Sequence, residues 1–451
     1  MSSVQQLYPT DSSFTFGPGL FKKNETFCWR PDFENNPHLL IWGNSGAGKS
    51  HLLREIITFL HRSNKHIHLV DLHGDLETKN ENLMLFGGQK VNYGINPFQF
   101  DNTSVHAGPK SQLNTIVSMY RSTYLPNMGG VQELILKQLC SDTYKMAGLK
   151  EDEPTTWMVD DIEARTPSLK DMLSLITDIL NHFQEGSGIA AYLHNQGTHL
   201  ERLQKEHGQG HDLVDKQLKK ILDDVKGHVC SQYLKQEVEG FQTNKALNQR
   251  INLEAYSSKK ALSTLQSLSM YTNALVQCGL FDCRPPPVRA GVVNRYNLQY
   301  MDNEVRRFFV EALSYKIFRA AQTRGEYSKR GNFSRGRKVD SYIILDELQS
   351  IVPSNTNEKN LHSQTYNRIA AEARKYGLGI IVVTQSPSAF PTPMLSNITK
   401  RVGLKTNPND VNDAKKKLGV VDNALFNHLQ KPYTAIISNA KGGYDPVDIA
   451  R

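Results

Sequence analysis

A chain of 451 residues, 39% hydrophobic and 22% charged, is long enough for one large or two to three ordinary domains with a substantial core. Its net charge of +8 mildly favours an acidic partner, nucleic acid or anionic lipid. Cys28, Cys140, Cys230, Cys278 and Cys283 form no C-x-x-C pair and no metal-ligand spacing, which argues against a disulfide scaffold and for reduced thiols in a cytoplasm. The N-terminus lacks a signal-peptide pattern, and no apolar run approaches the ~20 residues that span a bilayer. The expectation is a cytoplasmic protein with no transmembrane segment of its own, reaching a membrane machine only peripherally and through other proteins.

Residues 1–35 are polar and aromatic with little periodicity and read as an N-terminal arm with one short strand, packed on a neighbour or on the main sheet. The apolar run Leu39-Leu-Ile-Trp42 then reads as a buried strand. A glycine-rich turn follows, and Leu52, Leu53, Ile56, Ile57 and Leu60 recur beyond it at helical spacing. Gly43, Asn44, Ser45, Gly46, Ala47, Gly48, Lys49 and Ser50 spell G-x-x-x-x-G-K-S, with His51 next. Glycines let the backbone N–H groups turn inward as an anion nest at the positive end of the helix. Lys49 would then bridge the outer phosphates of ATP, and the Ser50 hydroxyl would hold Mg²⁺. Chance yields such a pattern in roughly one or two per cent of chains this long. The strand before it and the helix after it are what chance does not supply.

Ile67 to Asp71 is a second strand, ending in Asp71-Leu-His-Gly-Asp75, whose acids fit either a site or a solvated loop. Val91 to Phe98 reads as a short strand stopped by Pro97. Residues 36–100 and 285–451 are expected to form the core, with 101–284 a helical insertion. Three apolar stripes in the insertion should form its own interior: Val131, Leu134, Ile135 and Leu139; Leu169, Met172, Leu173, Leu175 and Ile176, entered through Thr166-Pro-Ser168; and Leu213, Leu218, Ile221, Leu222 and Val225. After Pro285-Pro-Pro287, residues 290–298 return to the sheet, and Val305 to Ala321 is an amphipathic helix. The loop 322–339 carries Arg324, Lys329, Arg330, Arg335, Arg337 and Lys338 against one acid, Glu326. It is either a solvated loop or a DNA contact, with Tyr327 and Phe333 interleaved. Strands follow at Tyr342–Leu345, Ile380–Val383 and Tyr433–Ser438, with a helix from Tyr366 to Tyr376 ended by Gly377.

Strands alternating with helices imply a mostly parallel sheet whose ligands sit at the carboxyl ends of its strands. Asp346-Glu347 directly follows one apolar strand and Gln385 another. Asp346 is then the Mg²⁺ partner, Glu347 polarises the attacking water and Gln385 senses the γ-phosphate; a helix N-cap pair is the alternative for the two acids. For the missing positive charge, Arg368 pairs equally well with Glu372, and Arg401 begins another element. Arg374, from a neighbouring subunit, is the preferred finger.

Together PHLLIWGNSGAGKS, HLVDLHGDLE, INPF, SYIILDELQSIVP and EARKYGLGIIVVTQSPSAFPTPMLSNI resemble the HerA/FtsK superfamily of ring ATPases, HerA-like helicase-translocases most closely. The segment Pro432 to Ala450 resembles that family's closing strands. The resemblance implies a RecA-like P-loop NTPase core in a hexameric homo-oligomer, with ATP at the subunit boundaries and DNA in the pore. The helical insertion resembles, in placement, the all-α domain of conjugative coupling proteins and type IV secretion ATPases. No stretch reads as the N-terminal barrel, membrane helices or winged-helix module of the various relatives. The expected function is an ATP-hydrolysing DNA-translocating ring motor, the energy module of a conjugation or secretion apparatus. A secretion ATPase acting on protein and a nucleotide-gated switch remain as alternatives.

Overall fold

The computed structural model describes residues 13–20, 26–34, 36–87, 93–102, 108–183, 214–223, 250–282, 284–327, 339–351, 365–388, 390, 392–420, 429, 433–438 and 444–449. The chain divides into two compact units, one of Met1–Pro97, Thr115–Asn127 and Cys278–Arg451, the other of Phe98–Asn114 and Met128–Gln277.

The first unit holds a short hairpin and a nine-stranded sheet. The hairpin is β1 (Phe14–Pro18) with β2 (Thr26–Trp29), so the N-terminal arm carries two strands where one was expected. The sheet comprises β3 (Leu39–Trp42), β4 (His66–Asp71), β5 (Glu81–Leu85), β6 (Val293–Asn297), β7 (Ser341–Leu345), β8 (Leu378–Thr384), β9 (Lys400–Gly403), β10 (Thr434–Ser438) and β11 (Tyr444–Asp448). Its order is β11-β10-β9-β3-β8-β7-β4-β6-β5. Every pairing from β9 to β5 is parallel; β10 runs antiparallel to both of its neighbours. This is the mostly parallel α/β core expected of the sequence.

Both faces of the central strands are buried, as a parallel sheet covered by helices requires. On one face Leu39, Ile41, Ile67, Leu69, Ile344, Ile381 and Val383 meet Leu52, Leu53, Ile56, Ile57 and Leu60 of α1 (Lys49–Arg62) in one cluster. Each such side chain contributes roughly 1.5–3 kcal/mol on burial. Phe14, Phe16 and Trp29 of the hairpin join the same cluster, so the arm packs on the sheet. The alternate residues Leu40, Ile343, Ile380 and Val382 are equally buried.

One expected strand does not form, and two strands form where none was expected. Residues 93–98 form no strand, because Pro97 removes a donor and Tyr93 makes only an isolated bridge to Arg284. The edge strand is instead β5, whose alternating burial sits in a sequence (ENLML) with little β-branching. β9 was also missed, since Lys400 and Arg401 interrupt its apolar pattern.

Helices of the second unit begin with α2 (Gly108–Thr123), whose later residues count with the first unit, followed by α3 (Gly130–Met146) and α4 (Lys259–Gln277). Residues 169–183 are helical too, and Ser168 opens them as the tripeptide signal implied: its N–H and Oγ both donate to Asp171 Oδ2, at 2.7 and 2.8 Å. Leu169, Met172, Leu175 and Ile176 are buried as expected. The α3 stripe is rotated from the expected one: Ile135, Leu136, Leu139 and Cys140 are buried, while Val131 and Leu134 are exposed. The third stripe does not form a described core, because Leu218 and Leu222 are exposed; Leu213 and Val225 lie outside the described residues. No described helix is long and apolar enough to cross a membrane. Cys28, Cys140 and Cys278 are free thiols.

The first unit continues with α5 (Asn303–Thr323), which buries Phe308, Phe309 and Leu313 outside the α1 cluster, then α6 (Thr365–Glu372) and α7 (Val411–Leu418). A 3₁₀ turn, Ala373–Tyr376, extends α6 to Gly377, whose φ of 74° supplies the left-handed cap expected there.

Candidate nucleotide-binding site

The sheet order decides the site. β3, β8 and β7 are adjacent and parallel, so the turns after them leave one edge side by side. Those turns carry residues 43–48, Gln385, and Asp346 with Glu347, separated in sequence by some three hundred positions. The Gly43 N–H donates to Thr384 O (3.3 Å), directly before Gln385.

The phosphate loop is held on two sides. Asn44 N–H donates to Lys405 O (2.7 Å) and Asn44 Nδ2 to Asn407 Oδ1 (3.1 Å). Gly48 precedes α1 at φ 101°, a conformation that a side chain resists. Ser50 and His51 lie in the first turn of α1, which contains no acidic residue to compete with an anion. Ser45 and Gly46 are exposed and Ala47 is buried. Lys49 Nζ donates back to the carbonyls of Gly43 (2.7 Å) and Asn44 (3.0 Å). Burial holds its pKa below the ordinary lysine value, opposed by the negative charges of Glu347 and Asp346. Lysine and acidic pair therefore share one electrostatic environment.

Asp346 and Glu347 are buried, at 9% and 4% exposure. Burial pushes the Asp346 carboxyl up to about 7, with Asp71, Asp75 and Glu347 adding to the shift and Lys49 opposing it. Ligand oxygens of Asp71, Asp75 and Asp346 all lie within 4.8 Å of one another. Glu347 takes a φ of 61°, unusual for a side chain other than glycine, and its Oε1 is buried with no hydrogen-bond partner among the described residues. Crowded carboxylates beside an unsatisfied oxygen are a donor set that fits a divalent cation and a water.

Asp71 is engaged by its own loop and by Arg295 as well. It is fully buried and accepts from the N–H groups of His73, Gly74 and Leu76 and from Arg295 Nε (2.9 Å). Arg295 also donates to Glu81 (2.8 Å) and to Gly74 O (2.9 Å). Asp71 thus shapes the loop, while Asp75 at its end is exposed. Sequence reading missed Arg295, a cation in the middle of a strand.

Gln385 is exposed at the end of β8. The segment after it is braced by Lys417, whose Nζ donates to Pro387 O and Phe390 O (2.8 Å to the latter), and by Asp410, which accepts from Ser386 Oγ (2.9 Å). Burial lowers the Lys417 pKa to about 8.

The arginines separate clearly. Arg368 pairs with Glu372 (3.3 Å) on α6. Arg401 donates to the carbonyls of Leu395, Ile398 and Lys417, a structural role. Arg374 is exposed before β8, at the opposite end of that seven-residue strand from Gln385. Arg324 sits by Asp340 (3.6 Å) and donates to Ser341 Oγ (3.2 Å), near the start of β7. Lys329, Arg330, Arg335, Arg337 and Lys338 lie outside the described residues.

A glycine-rich loop entering a helix, with an acidic pair at the same edge two strands away in the parallel sheet, defines the P-loop NTPase class. Within that class the chain is similar to ATPases of the HerA/FtsK type. The family model for the central domain of helicase HerA matches residues 35–238. Over 118 residues the chain is 28% identical to the DNA double-strand break repair helicase HerA of Sulfolobus acidocaldarius and 27% to that of Sulfurisphaera tokodaii. That stretch is 26% of this chain and spans only 22% of each relative. Among solved structures, VirB4 of Thermoanaerobacter pseudethanolicus aligns over 98% of this chain and 96% of its own (TM-score 0.61, 13% identity). The conjugative coupling protein TrwB, in complex with ADP and Mg²⁺, aligns over 93% and 86% (TM-score 0.53, 15% identity). These likenesses establish a shared fold.

Proposed function

We propose that this chain is a Mg²⁺-dependent ATPase that works as a ring, hexameric by analogy with its family, to move DNA through its centre. The observation that carries the reading is the convergence of Lys49, Asp346, Glu347 and Gln385 on one edge of the sheet. The backbone from Gly43 to His51 cradles the phosphates, and Lys49 neutralises the outer ones. Ser50 Oγ and Asp346 would hold Mg²⁺, which when bound draws charge off the β- and γ-phosphate oxygens. Glu347 Oε1 orients the attacking water and takes its proton. Gln385 registers whether the γ-phosphate is present. Phosphoryl transfer needs positioning and charge neutralisation more than covalent help.

Arg374 cannot serve its own chain's site, because the length of β8, about 20 Å at 3.3 Å per residue, lies between. We assign it to the neighbouring subunit's nucleotide, which couples hydrolysis to assembly. The net charge of +8 supports a polyanionic cargo. The test is ATP turnover with and without single- and double-stranded DNA at two salt concentrations. DNA-stimulated turnover, with binding that weakens steeply as salt rises, is the expected result. Turnover indifferent to DNA moves the assignment to a secretion ATPase acting on protein, and absence of turnover moves it to a nucleotide-gated switch. A particle that stays monomeric by mass measurement with ATP overturns the ring.

A further inference from the structure

The strand order also separates the two ends of a bound nucleotide. Asp346, Glu347 and Gln385 all leave strands on one flank of β3, so the outer phosphates belong on that flank. β9 and then β10 lie on the other. Because β10 runs antiparallel to β9, its first residues stand at the same edge as the phosphate loop. Tyr433 immediately precedes β10.

Tyr433 is docked on the loop itself. Its N–H donates to Ala47 O (3.3 Å). A Cβ built on Gly48 would fall 3.0 Å from the ring's Cδ1 and 3.3 Å from Cε1, so the tyrosine ring lies against that glycine. The His51 ring meets it edge-on, with centroids 5.6 Å apart and planes at 84°. The Tyr433 carbonyl accepts from Ile449 N–H (2.7 Å), which ties the residue to the end of β11. Its φ is 65°, and it shares a positive φ with only two other non-glycine residues, Asn64 and Glu347, among those described. Two of those three therefore bracket the phosphate loop, one on each flank.

We infer that Tyr433, with His51 beside it, is the seat of the nucleobase. The inference rests on the nucleotide-binding reading above. A triphosphate whose γ end faces Lys49, Asp346 and Glu347 extends its ribose and base toward the opposite flank, where this half-buried aromatic pair is held against the loop. Stacking on a tyrosine face suits any purine, because every base offers a π surface. The ligand class is accordingly a purine nucleoside triphosphate, with no selection of adenine over guanine by the ring alone.

The rival role for Tyr433 is a strut that merely props the loop. Calorimetric titration of the full chain with Mg²⁺, using ATP and inorganic tripolyphosphate as the two probes, separates them. Tyr433→Ala is expected to weaken ATP binding about tenfold or more. Tripolyphosphate binding should stay within about twofold of the wild type. Tyr433→Phe should bind both as the wild type does. Equal losses for both probes, or an undiminished affinity for ATP, overturn the seat. A wild type that binds tripolyphosphate as tightly as ATP overturns it too, while leaving the phosphate loop standing. A wild type that binds neither removes the nucleotide reading itself. Should Tyr433→Ala not fold, Tyr433→Leu keeps the bulk, loses the π face and carries the same comparison.

Discussion

Acidification should loosen the strand that carries the phosphate loop, through His38. Its ring is fully buried at the start of β3. Ile380 N–H on β8 donates to Nδ1 (3.1 Å), so the ring hydrogen is on Nε2, which donates to Ala370 O on α6 (3.1 Å). Protonation would set a second N–H at Nδ1 against the Ile380 donor. Burial, with the Arg374 charge adding to it and the Ala370 bond opposing, lowers the pKa from 6.5 to about 4. The folded value lies below the unfolded one, so the contribution is complete above pH 6.5 and is lost as pH falls toward 4. At 1.36 kcal/mol per pH unit the full effect is about 3 kcal/mol, of which roughly 2 kcal/mol is gone by pH 5. His38→Gln fills similar space without titrating, so it cancels every other group that responds to acid. Hydrogen exchange of the Ile380 amide, in wild type and variant at pH 7 and pH 5, reads the difference locally, which suits a chain of two compact units. The stability advantage of the wild type should shrink by roughly 2 kcal/mol between those conditions. An advantage that is independent of pH refutes the argument.

Three further outcomes follow from the site. Lys49→Ala should abolish both ATP binding and turnover, whereas Glu347→Gln should bind ATP and lose turnover by about 100-fold or more, measured by filter binding and phosphate release. Arg295→Met strands the buried Asp71 carboxylate and should cost about 3–5 kcal/mol, read from the denaturant midpoint; pairing it with Asp71→Leu should recover part of that loss. Lys417→Met unties the segment after Gln385, so turnover should fall while the ATP dissociation constant stays put; an equal change in both would show that Lys417 supports only the fold.

Much of the site was readable because it is local. The strand-loop-helix signal at 39–62 depends on hydrophobic periodicity and on glycines that permit particular backbone conformations, and both are properties of consecutive residues. The same holds for Asp346-Glu347 and Gln385 at the ends of apolar runs, and for the Gly377 cap. Errors gathered where local pattern misleads. β9 opens with two basic residues, Lys400 buried and Arg401 half-buried, and α3 turned by a fraction of a helical turn exposes Val131 and Leu134 in place of Leu136 and Cys140.

The amino-acid order alone determined that this protein has a phosphate loop, an acidic pair and alternating strands and helices, since each is written in a few adjacent side chains. Only the tertiary structure decided which strands are neighbours. Neighbourhood comes from packing and ladder pairing between distant segments, and it alone brings Lys49 into the field of Asp346, turns Asp71 inward onto Arg295, sends Arg374 to the far edge, and lays Tyr433 on Gly48.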